Sequence, residues 1–181
     1  MSEYRRVYTG GASYFFTVVT HKRRRFLAQP NHIMIGRSVV RDVKQRYPFA
    51  IDACVILPDH IHFIWTMPDG DVNYSRRIGL IKAACSRAFI ACGLDMPAVN
   101  FSRKSRNEHA VWQRRFWEHR IRDERDYRHC MDYLHYNPVK HGLVCSVNEW
   151  PYSSFHRWVK AGVYSMDWGA NVDIESEGFG E

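Results

Sequence analysis

Three observations predict an α+β protein built on one antiparallel sheet. The run Ser13-Tyr14-Phe15-Phe16-Thr17-Val18-Val19-Thr20 is β-branched, aromatic and nearly continuously apolar, as a central strand is. Residues 49–57 and 60–67 alternate with period two and are joined only by the short Pro58-Asp59 connection, which makes them an antiparallel hairpin. Between and after these runs, apolar residues recur at helical spacing. The resulting order is β-α-β-β-α-β-α.

The first strand follows Gly10-Gly11 and ends at a basic loop, His21-Lys22-Arg23-Arg24-Arg25. After Pro30, Ile33, Ile35, Val39, Val40 and Val43 define an amphipathic helix that stops before Pro48. In the second strand Phe49, Ile51, Ala53, Val55 and Leu57 are expected to share one face. In the third, Ile61, Phe63, Trp65 and Met67 take one face and His60, His62, Ile64 and Thr66 the other. A helix over about residues 73–92 carries Ile78, Ile81, Ala84, Cys85 and Ala88 at helical spacing. Residues 93–110 read as a mobile basic loop, and 111–121 as a fourth strand, basic and aromatic. Asp123 can N-cap the next helix, which is expected to end near Asn137 because a residue before proline disfavours helical backbone. A short C-terminal helix begins within Trp150-Pro151-Tyr152-Ser153-Ser154-Phe155. The first six elements form the split-βαβ, ferredoxin-like arrangement: a four-stranded antiparallel sheet with helices on one face and room for a site on the other.

The 181 residues suit one domain, here residues 1–164, followed by a loose acidic tail over 165–181. The tail holds five acids and no Lys or Arg, whereas the preceding body holds 26 basic and 14 acidic side chains, a net +12. A basic body points to a polyanionic partner, most simply nucleic acid. The tail then becomes a candidate shield over the basic groove. No apolar run approaches the length of a membrane span, and the N-terminus lacks the apolar core of a secretion signal. Five cysteines without a C-x-x-C read as reduced residues of a cytoplasmic protein.

The chemistry starts at His60-Ile61-His62. Residues i and i+2 of a strand project side by side, roughly 6.5–7 Å apart, close enough for both rings to lean onto one cation. Ten histidines in 181 positions give roughly half an H-x-H by chance, so the pair needs a further ligand. The last long helix offers one. Tyr133 and Asn137 are four residues apart and share a helix face, with Tyr127, Met131 and Leu134 on the opposite, core-forming side. That places Tyr133 and Asn137 near an edge of the interface. Two imidazoles and an amide oxygen make a three-ligand site with open positions, suited to Mg²⁺ or Mn²⁺ completed by water and substrate phosphate. A zinc site with Asp59 is a rival, although regular strand geometry points Asp59 away from His60. A metal-held phosphate could be attacked by the phenol of Tyr133, leaving a covalent phosphotyrosine and a free 3′-hydroxyl. Tyr136 is a rival nucleophile, about 100° around the helix from Asn137.

Longer motifs then carry a resemblance. Tyr4-Arg5-Arg6, Gly10-Gly11-x-x-Tyr14-Phe15-Phe16-Thr17, Leu57-Pro58-Asp59-His60-Ile61-His62 and Trp112-Gln113-Arg114-Arg115-Phe116-Trp117-Glu118-His119 occur in order. They are followed by Asp132-Tyr133-Leu134-His135-Tyr136-Asn137-Pro138-Val139-Lys140-His141-Gly142-Leu143-Val144 and Trp150-Pro151-Tyr152-Ser153-Ser154-Phe155. Over about residues 4–158 the chain resembles the REP-associated tyrosine transposases, relatives of the single-tyrosine HUH insertion-sequence transposases. The resemblance implies that His60 and His62 bind the metal, that Tyr133 is the nucleophile, and that Asn137 replaces the glutamine ligand of many relatives, one methylene shorter. It also implies cleavage and rejoining of single-stranded DNA at repetitive extragenic palindromic hairpins through a 5′-phosphotyrosine, in the nucleoid.

Single-strand binding needs cations and aromatic platforms. Tyr4, Arg5, Arg6, Arg23, Arg24, Arg114, Arg115 and Arg120 are the candidate DNA contacts, with Trp112 or Trp117 as further stacking surfaces. Two other readings compete. A non-catalytic single-stranded nucleic-acid-binding module would form no covalent adduct, and a metallohydrolase using activated water would tolerate Tyr133→Phe. A tyrosine helix folded onto its own sheet permits a monomer; an exchanged helix makes a homodimer.

Overall fold

The computed structural model describes residues 11–98, 101–105 and 109–169. Strands β1 (Ser13–Val19), β2 (Ala50–Ile56), β3 (His60–Thr66) and β4 (Trp117–Arg120) form one sheet in the order β2-β3-β1-β4. Every pairing is antiparallel. The long helices are α1 (Pro30–Arg46), α2 (Tyr74–Ala91) and α4 (Glu124–Lys140), with short helices α3 (Phe101–Lys104) and α5 (Phe155–Lys160). This is the predicted ferredoxin-like arrangement, with the apolar β1 in an interior position where both its edges are paired. None of the described helices is long and apolar enough to cross a membrane.

Both faces of the sheet are covered, not one. Tyr14, Phe16, Phe63, Trp65 and Met67 pack with Val43 of α1 and Ile78, Ile81, Cys85 and Phe89 of α2. Phe15, Ala53, Val55, Leu57 and Ile64 pack with Cys130, Met131, Tyr133 and Leu134 of α4. Alternation along β1 and β3 assigns each residue to its layer, as the sequence predicts.

The expected single apolar face of the second strand is broken. Ile51 pairs with Trp65 but Ala53 pairs with Ile64, so Asp52 is an extra residue in a β-bulge. Phe49 and Ile51 therefore join the α1/α2 layer, whereas Ala53, Val55 and Leu57 join the α4 layer. The fourth strand is also shorter than expected. If the Thr17–Trp117 register continued, Thr20 would face Arg114; it bridges Trp112 instead. The extra residues around Arg114–Phe116 loop out, and Phe116 lies over Phe16 at a ring separation of 6.0 Å.

Helix α4 begins as predicted, with the Asp123 carboxylate accepting from Asp126 N at 2.9 Å. It does not stop at Asn137 but runs through Pro138 to Lys140. A proline so near the C-terminus forfeits only one intrahelical bond, and His141 N still donates to Asn137 O at 3.0 Å. Burial of Leu134, Asn137 and Pro138 against the sheet outweighs the local bias. The C-terminal helix starts at Phe155, the last residue of the expected run, because the preceding residues line the β2 edge: Ile56 N donates to Tyr152 O and Ser154 N to Cys54 O. Beyond it, Trp168 packs on Tyr164 with ring centroids 4.7 Å apart. Tail residues 170–181 lie outside the described residues.

Candidate active site

The α4 layer contains polar groups that an apolar core would exclude. His60, His62, Thr17 and Asn137 are all at most 1% exposed, and Tyr133 is 2% exposed. A buried polar atom without a partner costs about 1–3 kcal/mol, so each of these groups needs a bond. Their partners determine which ring nitrogens face the interior of the site.

His60 and His62 leave the start of β3 on the α4 side, with ring centroids 4.8 Å apart. His62 sits directly opposite Thr17 on β1, and its Nδ1 lies 2.9 Å from Thr17 Oγ1. His60 Nδ1 lies 2.7 Å from Asp59 Oδ1. This overturns the expectation that Asp59 points away: it belongs to the turn, not to the strand, so strand alternation does not govern it. With Nδ1 occupied on both rings, Nε2 is the nitrogen each presents to a ligand.

Asp59 is itself held. Burial pushes its carboxyl up, but hydrogen bonds and charge from His60 and Arg23 outweigh that and hold it below the usual carboxylate range. Arg23 reaches Asp59 Oδ2 at 3.2 Å from a turn in which Lys22 and Arg23 have φ of 56° and 51°. Non-glycine residues rarely occupy this left-handed region. The basic loop thus serves the histidine pair through Asp59.

Helix α4 presents the other half. Cys130, Tyr133, Leu134 and Asn137 recur at helical spacing on the face toward the sheet, so Tyr133 and Asn137 stand within the buried stripe and not at its edge. Asn137 Oδ1 lies 3.3 Å from His60 Nε2. That is close to the separation of adjacent ligands around one ion with bonds of about 2.1 Å. The Tyr133 ring packs edge-on to His62 and Phe15 at 5.6 and 6.0 Å. Its hydroxyl accepts from Lys140 Nζ at 3.0 Å, and the same ammonium lies 4.7 Å from the ring centre. The exposed His141 ring is 5.1 Å from His60, at the rim of the cluster. Sequence reasoning did not anticipate the contacts that Lys140, Asp59 and Thr17 make here. Tyr133, Asn137 and Lys140 at i, i+4 and i+7 carried a signal for the lysine.

A second donor group lies at the other end of α4. His119 Nε2 is 2.9 Å from both oxygens of Asp126, and Cys130 Sγ is 3.9 Å from Asp126 Oδ1. Asp126 also accepts from Arg122 N and Nε at 3.0 and 3.1 Å. With its carboxylate so fully engaged, the group reads as a clasp between β4 and α4.

The candidate DNA contacts do not form one groove. Tyr4, Arg5 and Arg6 lie outside the described residues. Arg23 is spent on Asp59, and Arg24 donates to Asp95 O at 2.6 Å. Arg114 bonds Ser102 O and Oγ at 2.9 Å, while Arg115 and Arg120 are exposed. Trp112 is a core residue whose Nε1 donates to Lys82 O, so it is no stacking platform. Trp117 stays half-exposed on the Tyr133 side, stacked 6.0 Å from His119.

Comparison with known proteins places the chain in a family. Residues 10–137 match the family described as Transposase IS200 like. The chain is 44% identical over 178 residues to a putative REP-associated tyrosine transposase of Haemophilus influenzae, covering 98% of this chain and 99% of that one. It is equally identical to the REP-associated tyrosine transposase of Escherichia coli, covering 97% of that chain. A solved structure of a REP-associated tyrosine transposase bound to a REP hairpin is similar over 100% of this chain and 98% of that one, with a TM-score of 0.82 at 42% identity.

Proposed function

From the premise that this chain belongs to the REP-associated tyrosine transposases, DNA-cleaving and rejoining enzymes of the IS200-like family, we propose that it cuts and transfers single-stranded DNA at palindromic hairpins through Tyr133. The observation that carries this reading is the convergence of His60, His62, Asn137 and Tyr133 in one buried cluster between β3 and α4. The REP hairpin held by the similar transposase supports the substrate class.

His60 Nε2, His62 Nε2 and Asn137 Oδ1 would hold a divalent ion, Mg²⁺ or Mn²⁺. Two nitrogen donors and one neutral oxygen, with Nδ1 of each ring bonded to Asp59 or Thr17, fit such an ion and leave positions open to substrate. When bound, it neutralises the scissile phosphate and fixes its orientation. Tyr133 Oη attacks phosphorus as the bond from phosphorus to the 3′ oxygen breaks. The phenol proton leaves to water at the rim and the departing oxygen takes one up, giving a 5′-phosphotyrosine and a 3′-hydroxyl. Attack by a 3′-hydroxyl on the phosphotyrosine reverses the step and joins strands. Lys140, 3.0 Å from Oη, sets a positive charge beside the oxygen on which negative charge develops. Asp59 and Thr17 act as positioning residues for the two imidazoles.

Residues 1–164 would form the catalytic domain. We read it as complete in one chain, because α4 seats Tyr133 on that chain's own β2 and β3 layer. Such an enzyme would work in the nucleoid. Incubation with a palindromic single-stranded hairpin and Mn²⁺ tests the proposal: a covalent protein–DNA adduct is expected, and Tyr133→Phe should abolish it. Cleavage without an adduct would overturn the tyrosine mechanism.

A further inference from the structure

The clasp between β4 and α4 brings an imidazole, a carboxylate and a thiol to one point. Asp126 and Cys130 are four residues apart on α4 and share a helix face, and His119 reaches them from β4. Their donor atoms, His119 Nε2, an Asp126 carboxylate oxygen and Cys130 Sγ, all lie within 4.8 Å of one another. The two carboxylate oxygens have different surroundings. Oδ2 accepts from Arg122 N and Nε at 3.0 and 3.1 Å, which fixes the plane of the group. Oδ1 faces Cys130 Sγ at 3.9 Å, and His119 Nε2 lies 2.9 Å from both oxygens. The His119 ring is itself held, stacked on Trp117 with an interplanar angle of 12°. A thiol is a weak hydrogen-bond donor, so it adds little to a hydrogen-bonded clasp. As a thiolate it is a strong metal ligand.

We propose that His119 Nε2, Asp126 Oδ1 and Cys130 Sγ form a second metal site that takes Zn²⁺, separate from the cluster of His60, His62 and Asn137. The donor set selects the ion: thiolate with imidazole favours Zn²⁺ over Mg²⁺ or Mn²⁺, whereas the other cluster offers no thiolate. The geometry is close to what zinc needs. Bonds of about 2.0–2.3 Å in a tetrahedron put adjacent donors about 3.4–3.6 Å apart. Oδ1 and Nε2 therefore separate, and Sγ closes on Oδ1, by about half an ångström or less. Charge matches as well, since carboxylate and thiolate together balance a dication. Arg122 keeps Oδ2, and its side chain is 75% exposed, so its own charge stays in water. The S–H proton leaves to water as the Zn–S bond forms. Cys130 is fully buried, but the His119 side chain is 27% exposed, which gives the ion a way in and lets water fill the fourth position. The bound ion would pin α4 to the edge strand one turn ahead of Tyr133. This inference does not rest on the DNA-transfer reading, because the ion's role is to hold two elements together.

The test uses the full chain, stripped of metal with a chelator and titrated with Co²⁺ as the coloured stand-in for Zn²⁺. A thiolate-to-cobalt charge-transfer band should rise in the near ultraviolet and vanish when Zn²⁺ is added. Cys130→Ser should abolish the band. His119→Gln should raise the Co²⁺ concentration needed to develop it by about tenfold or more. The band should survive in His60→Ala/His62→Ala, and also in Cys92→Ser/Cys145→Ser, which removes the two exposed thiols. Zn²⁺ should raise the denaturation midpoint of His60→Ala/His62→Ala, and the rise should disappear once His119→Gln is added. Absence of the band in the wild-type chain, its persistence in Cys130→Ser, or its loss in His60→Ala/His62→Ala would overturn the proposal. If Cys130→Ser does not fold, His119→Gln at its partly exposed position decides alone, and an unchanged Co²⁺ dependence there would also overturn it. The band is read without DNA, so failure of the chain to form a Tyr133 adduct would count against the DNA-transfer reading and leave this result standing.

Discussion

The two faces of the sheet are made by the same four strands and packed by helices, yet they differ in kind. Toward α1 and α2 the layer is aromatic and aliphatic: Tyr14, Phe16, Phe63, Trp65, Tyr74 and Phe89 fill it. Toward α4 the layer is interrupted by His60, His62, Thr17 and Asn137, each buried and each bonded to another polar atom. Area burial favours the first face at roughly 25 cal/mol per Å². The second forgoes part of that gain to keep buried polar atoms in fixed positions. Under the proposed function one face carries stability and the other chemistry, and substitutions should separate them.

The widest separation is expected between Trp65→Ala and His62→Gln. Trp65 is fully buried among Phe16, Phe49 and Phe63, so truncation should cost about 3–5 kcal/mol, read as a large fall in denaturation midpoint. His62→Gln should leave the midpoint near wild type and cut adduct formation by about 10²–10³. Mixing His62→Gln with Tyr133→Phe chains sharpens the point: a site complete in one chain gives no recovery, whereas an exchanged α4 would restore adduct. Lys140→Gln comes next. Its adduct rate should fall about 10–100-fold and recover partly at higher pH, where phenolate needs less help. A change in Kd for DNA with no change in rate would instead make Lys140 a phosphate contact only. Asp59→Asn should raise the Mn²⁺ concentration needed for half-maximal adduct by about 10-fold or more, with little effect at saturating metal.

A separate contrast concerns stability against pH. His135 is buried on the outer side of α4, with Nε2 3.0 Å from Ser154 Oγ. Burial first, then Arg157 and His156, pushes its pKa down to about 3. The unfolded ring protonates near 6.5 and the folded one does not until about pH 3, so its contribution is full above that range. It declines as pH falls through the window, by up to about 1.4 kcal/mol per unit. His135→Gln should flatten that acid limb in denaturant titrations at fixed pH.

What the sequence showed and what it hid follow one rule. The hairpin around Pro58-Asp59, the Asp123 cap and the opposed faces of β3 depend on neighbours within a few residues, and all are where local pattern places them. The Asp52 bulge, the residues looped out near Arg114 and the helix continued through Pro138 are set by partners far along the chain, to which periodicity is blind. The site shows the same division. His60 and His62 were legible because strand geometry fixes their direction. The link from Arg23 through Asp59 to His60 was not, because it runs through a left-handed turn and a side chain outside the strand rule.

The central claim is that the bond-making oxygen belongs to Tyr133. The direct measurement is mass-spectrometric mapping of the chain after incubation with a single-stranded palindromic hairpin and Mn²⁺. The account predicts a nucleotide joined through its 5′-phosphate to Tyr133, and none in Tyr133→Phe. An adduct on Tyr136, or cleaved DNA with both ends free of protein, would contradict it.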